Sequence, residues 1–317
     1  MATNPADIRN AALLGAATVA AGFVVPVLPY LGLPLAAFAL GWLTYRFGPL
    51  AATGLAVSTA LCVAVFGPLL LGTAVLDGAF VGVALLALGP VSATALRRYP
   101  ALNVAAAATL AITIAFLAAP IGAATLREST VAWRQILAGV AASGGVADPV
   151  ALKAATSALL VQMSITWPAA SFYTMGIGSA IGVSLIGRAA RAQGQDVHRY
   201  GPLADMDVSF HIVWPTILGL ACSAAAALWT KAPALVGTIG SNVVMIVRPF
   251  LFLQGAAVFS ALYRRMGAGR VTKTIGIVLL LLTESFVPSV SVLGLVDIFA
   301  NLRKLPRGAV RAPGALT

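Results

Sequence analysis

Residues 274–301 read TIGIVLLLLTESFVPSVSVLGLVDIFAN, and their only formal charges are Glu284 and Asp297. About 20 apolar residues span the hydrocarbon of a bilayer, and a soluble core helix has no use for so long an apolar run. Similar stretches recur near 11–29, 32–45, 49–71, 75–96, 103–121, 154–187, 209–229 and 233–262. The pattern predicts an all-α, polytopic transmembrane helical bundle of about eight to ten hydrophobic segments, some broken by proline. The second stretch is short and carries Pro34 near its start, so half a span or the return of a broken helix is expected there.

Composition agrees. Hydrophobic residues make up 60% of the 317, mean hydropathy is +0.97, and 20 Lys and Arg face only nine Asp and Glu. Residues 1–305 are expected to form one integral membrane domain, and 306–317 a basic, disordered cytoplasmic tail. The polar stretches between spans are too short to fold alone. The net charge of +11 is not a nucleic-acid footprint, because its basic residues fall in short clusters between apolar segments. Such clusters set topology and meet anionic lipid headgroups.

Orientation follows from those clusters. With the Arg97/Arg98 loop cytoplasmic, 122–153 lies outside, 188–207 inside, Lys231 outside and 264–273 inside. The N-terminus is then also inside, provided that 11–29 and 32–45 cross separately. A single crossing by 274–301 would leave Arg303, Lys304, Arg307 and Arg311 outside, against the rule. Pro288, with Glu284 just before it, instead suggests two half-helices that return the tail to the cytoplasm. The expected location is the bacterial inner membrane with both termini cytoplasmic. Residues 122–153 differ in kind. Trp133, Ile136, Leu137 and Val140 share one helical side, ending at Ser143, Gly144 and Gly145. An amphipathic surface helix and a plain connector both fit.

Charges inside spans are expensive and are functional candidates by default. Glu284 and Arg248 qualify, and they can pair. Asp77 reads as an interfacial cap. Asp297, six residues before Arg303, is placed to hold the basic tail by charge pairing. Polar uncharged residues cluster around Trp167, Ser171, Tyr173 and Thr174, and again at Asn242 and Gln254. They suit either a solute cavity or interhelical hydrogen bonds. Ala12, Ala16 and Ala20, and separately Gly178 and Gly182, give small-residue faces for helix packing or partner docking. No enzyme is expected: Walker A, HExxH and GxSxG motifs are absent, and neither histidine, His198 in a basic loop or His211 at the start of a span, is placed as a base for the Gly176-Ile177-Gly178-Ser179 turn. No metal site and no cofactor is expected, and Cys62 and Cys222 read as small buried hydrophobes.

The C-terminal third carries Asn242, then Phe252-Leu253-Gln254-Gly255, then Gly294-Leu295-Val296-Asp297 with Arg303-Lys304. With Tyr45-Arg46-Phe47-Gly48 near the N-terminus, this resembles the YybS-like family of bacterial membrane proteins, a family of unknown function. Its pattern is similar to that of the S-components of energy-coupling-factor vitamin transporters. That likeness implies solute binding by Trp167, Ser171, Tyr173, Thr174, Asn242, Arg248, Gln254 and Glu284. It also implies docking on a coupling protein through the small residues of the first helix. The alternative is a non-catalytic scaffold or assembly factor. The partners expected are the lipid bilayer, a small solute and other membrane proteins. The discriminating feature is where Glu284 and Arg248 point: into a cavity, into each other, or towards the interface.

Overall fold

The computed structural model describes residues 5–142, 149–198, 203–229 and 231–306, and these contain helices and no strand. Residues 143–148, Arg199 and 307–317, the last covering nearly all of the expected tail, lie outside that description, as do the side chains of Tyr30 and Lys153. Among the described residues six helices are long and apolar enough to cross a membrane, or seven if a bent pair counts as one span. The chain divides into two compact units, residues 1–200 and 201–317.

Unit 1 contains α1 (Pro5–Val24), α2 (Pro29–Phe47), α3 (Pro49–Leu71), α4 (Asp77–Ala95), α5 (Ala101–Ala118), α6 (Pro120–Ala142) and α7 (Pro149–Ala192). Prolines open five of these helices, where the missing N–H is an orphan in any case. Gly48 ends α2 and precedes α3 with φ +87°, a conformation that favours glycine, so the Tyr45-Arg46-Phe47-Gly48 motif marks a sharp reversal. The expectation of a broken second segment is corrected: α2 is one continuous helix of 19 residues, about 28 Å long. Pro34 falls in its second turn, where it removes only one early hydrogen bond.

α2 is the central helix, with Leu33, Ala36, Ala37 and Leu40 buried. Its neighbours approach through glycines. A Cβ added at Gly178 would meet the Leu33 side chain, at Gly182 that of Ala37, and at Gly41 that of Ile186. These pairs advance together by four residues, so α2 and α7 run parallel and in register. α4 is parallel to them as well, because Gly89 lies on Leu40 and the Tyr45 hydroxyl donates to the Ala93 carbonyl. The C-terminal ends of the three helices therefore emerge together and bring Arg46, Arg97, Arg98, Arg188 and Arg191 to one end of the unit, all exposed. The loop after α7 is fastened there by the His198 amide donating to the Leu96 carbonyl. Asp77 and the start of α6 mark the other end.

The segment left open between surface helix and connector is helical. α6 exposes Trp133, Ile136 and Val140. α7 has 44 residues, about 66 Å, against a hydrocarbon layer of about 30 Å. Its later part supplies Met175, Val183 and Ile186 to the core, whereas Val150 and Val161 near its start are exposed.

Unit 2 contains α8 (Val213–Leu228), α9 (Ala234–Arg265), α10 (Arg270–Phe286) and α11 (Ser289–Ala300), preceded by short 3-10 turns at Leu203–Asp205 and Phe210–Ile212. α8 and α9 form an antiparallel hairpin closed by Gly219 against Val243 and Val244 and by Gly240 against Ser223. Exposed Trp214 and Trp229 bracket α8, as interfacial aromatics do.

α10 and α11 meet at 105°, at the Pro288 break expected from sequence. Arg264, at the end of α9, pairs with Asp205, and Arg303, just after α11, pairs with Asp207. The bent pair therefore leaves from and returns to the same end of unit 2. By length and composition this bent pair is either a broken span or a re-entrant loop. The first of these pairs is exposed, and the hydrogen bond from Arg264 holds the Asp205 carboxyl below the usual carboxylate range. A carboxylate stabilised in this way helps folding above its unfolded pKa and ceases to help as pH falls through its folded value. Solvent and salt screen an exposed pair strongly. Asp205→Asn should therefore leave the melting temperature at pH 7 and moderate salt within error of wild type, which thermal unfolding in detergent checks.

Candidate functional site

The sequence-selected polar residues of unit 2 gather in two networks. The first lies where α9 and α11 cross. Glycines on both helices make that crossing possible: a Cβ at Gly255 would meet the Val290 carbonyl, and one at Gly294 the Leu251 carbonyl. Gln254 and Asp297 lie beside this crossing, both fully buried. The Gln254 Nε2 donates to Asp297 Oδ2 at 2.8 Å and to Asp207 Oδ1 at 2.9 Å, and its Oε1 accepts the Val208 amide at 2.9 Å.

Arg303 closes this network. Its Nε donates to Asp297 Oδ2 at 3.0 Å, and its Nη2 lies 2.9 Å from the same oxygen and 3.3 Å from Asp207 Oδ1. Its Nη1 donates to the Ala204 and Met206 carbonyls. All three guanidinium nitrogens are engaged, and the side chain is only 2% exposed. The charge pairing expected between Asp297 and the basic tail is present. It also binds the 203–208 segment to the helix crossing. A buried ion pair contributes little net stability over an apolar packing, but it fixes which groups must meet.

The second network lies at the α10–α11 break. Glu284 and Arg248 point into each other, with Arg248 Nε 2.9 Å from Glu284 Oε1 and Arg248 Nη2 donating to the Glu284 carbonyl. Glu284 Oε1 also accepts the Ser291 hydroxyl at 2.6 Å, and Oε2 accepts the Val290 and Ser291 amides at 3.0 and 3.1 Å. Breaking a helix inside a membrane exposes orphan amides and carbonyls that no water satisfies. Here one carboxylate caps the start of α11, and one guanidinium caps the end of α10. Asn242, also on α9, donates to the Thr238 carbonyl one turn back.

In unit 1 the polar cluster near 162–174 is bound largely within its own packing. The Ser164 and Thr166 hydroxyls donate to carbonyls of their own helix. Trp167 packs on Phe116 at 5.8 Å, and Phe116 packs on Phe80 at 5.5 Å. Ser171 is buried, with Tyr173 and Thr174 half-buried. Asp77 is a cap as expected and also a clasp: it accepts the Ala74 amide at 2.8 Å and the Ile121 amide at 3.0 Å, joining the starts of α4 and α6. Gly178 and Gly182 pack α7 on α2, while Ala12, Ala16 and Ala20 are exposed. Among the described residues no group of three His, Cys, Asp or Glu could hold a metal ion.

A family model described as "Predicted membrane protein (DUF2232)" matches residues 13–298. The chain belongs to the DUF2232 family. No curated protein and no solved structure matches it.

The matched region of this DUF2232 protein includes Gly255, Gly294 and Asp297 as well as Tyr45, Arg46 and Gly48, and it stops short of Arg303. Tyr45 joins α2 to α4, and the Arg46 guanidinium lies 6.0 Å from the Trp42 ring. Ser291, Asp207 and the carbonyls of residues 204 and 206 were not singled out from the sequence. Asp207 sits in an ordinary-looking polar loop, 96 positions from Arg303.

Proposed function

We propose that this protein is a non-catalytic scaffold or assembly subunit of the bacterial cytoplasmic membrane. The observation that carries the reading is that Glu284 and Arg248 close on each other, with both carboxylate oxygens taken up inside the chain. Gln254, Asp297 and Arg303 are used in the same way. Residues of this kind hold a bent pair and a loop in place and leave no acid or base at the break poised for chemistry.

Docking is assigned to α1. One side of it, with Thr18 and Ala21, is buried, whereas Ala12, Ala16 and Ala20 are exposed. Small residues let a partner helix approach closely. That exposed face also favours a second reading, an S-component-like solute-binding subunit that docks on a coupling protein. The basic end of unit 1 is assigned to the cytoplasm. α1 runs antiparallel to α2, which puts the N-terminus on that side. The basic residues Arg303, Lys304, Arg307 and Arg311 favour a cytoplasmic C-terminus by the same rule.

Native mass spectrometry of the full chain in mild detergent tests the proposal. A stoichiometric membrane partner is expected on wild type. Ala16→Leu should remove it without lowering the melting temperature, because Ala16 is exposed. A protein that carries a small metabolite and no partner would favour the solute-binding reading. Retention of a partner by the Ala12→Leu/Ala16→Leu/Ala20→Leu variant would overturn the assignment to α1.

A further inference from the structure

Arg248 and Arg303 hold carboxylates in the same unit, but only Arg303 is fully enclosed. The side-on edge of Arg248, Nε with Nη2, is taken by the carboxylate and carbonyl of Glu284. Its end-on edge, Nη1 with the outer hydrogen of Nη2, meets no acceptor among the described residues. The Arg248 side chain is 39% exposed, against 8% for Glu284 and 2% for Arg303.

The depth of this edge gives it meaning. α9 runs from Ala234 to Arg265, and Arg248 stands near its midpoint. The Glu284 end of α10 reaches it there. Lipid tails offer a guanidinium no acceptor, so an edge left open inside a span is costly unless water or a ligand meets it. The end-on edge presents two parallel N–H donors in a plane, a match for the two oxygens of a carboxylate. Glu284 does not compete for that edge. Its charge is also met by the Ser291 hydroxyl and by two backbone amides at the start of α11, where the helix dipole favours an anion.

We propose that the open edge of Arg248 is a receptor for a carboxylate at mid-membrane depth. The carboxylate comes from a small organic acid or from an Asp or Glu on a transmembrane partner. The assignment is independent of the docking face on α1.

The experiment uses the full chain in lipid nanodiscs. Sodium benzoate, succinate and octanoate are titrated at constant ionic strength against chloride, with benzamide as the neutral counterpart of benzoate, and the melting temperature is followed. Saturable stabilisation by a carboxylate but not by benzamide, weakened about tenfold or more in Arg248→Lys, assigns the site to a solute. Lysine keeps the charge that holds Glu284 but loses the fork, and the benzamide comparison on wild type stands even if the variant folds poorly. A membrane partner that co-purifies with wild type and is lost from Arg248→Lys, with no response to the three acids, assigns the carboxylate to that partner. Equal responses to the acids and chloride, with no Arg248-dependent partner, would overturn the proposal.

Discussion

Replacing Arg303 by alanine is expected to unfold the C-terminal unit at temperatures where wild type is intact. The guanidinium is 2% exposed, and the Asp297 carboxylate it pairs with is 0% exposed. Removing it leaves Asp297 buried without its cation and strips the Ala204 and Met206 carbonyls of a shared donor. Breaking a buried pair from one side costs about 3–5 kcal/mol, a large part of the stability of most domains. Thermal unfolding in detergent should show the loss, and proteolysis at 203–208 should rise before global unfolding. The double replacement Arg303→Met with Asp297→Leu should be milder than Arg303→Ala, because it removes the unpaired charge along with the pair. If the double variant were the worse one, the network would be contributing net stability and not only specificity.

Gly294→Val is expected to separate α11 from α9. A Cβ at this position would strike the Leu251 carbonyl and the Gly255 amide, and backbone cannot turn aside as a flexible side chain does. Overpacking a well-filled contact costs about 1–3 kcal/mol, and a backbone obstacle puts this site at the upper end. The displacement would also draw Asp297 away from Gln254, so the loss should exceed that of an isolated steric clash. Gly139→Ala in α6 is the control, since nothing lies within 4 Å of its added Cβ. In a helix interior that change is expected to stabilise by up to about 1 kcal/mol. Melting temperatures of the two variants should therefore move in opposite directions.

Much of the helical layout is legible in the chain. The apolar runs at 49–71, 103–121 and 233–262 lie within about three residues of α3, α5 and α9, because span length is set by bilayer thickness and prolines sit where helices can begin. The break at Pro288 was visible for the same local reason. α2 was misread because Pro34 looks disruptive in isolation, whereas its place in the second turn makes it tolerable. In the site, Arg248 and Glu284 stood out because charge is rare in a span. Ser291 did not, since a serine on an apolar helix carries no signal of its own. Only the α10–α11 angle brings its hydroxyl and amide onto Glu284.

By itself the sequence determined that this is a helical membrane protein, where most of its apolar helices lie, and which charges are out of place in lipid. Those are properties of composition and near neighbours. The tertiary structure alone decided that α2, α4 and α7 run parallel with their arginines at one end, and that α10 and α11 meet at 105°. It also decided that Arg303 is enclosed while Arg248 keeps one edge open. Each of these depends on contacts between residues from 36 to 99 positions apart or on the packing of different helices. Hydropathy is summed along the chain and carries no term for which distant groups meet. The pairing is fixed by the close approach of glycines and by the requirement that polar groups inside a membrane find one another.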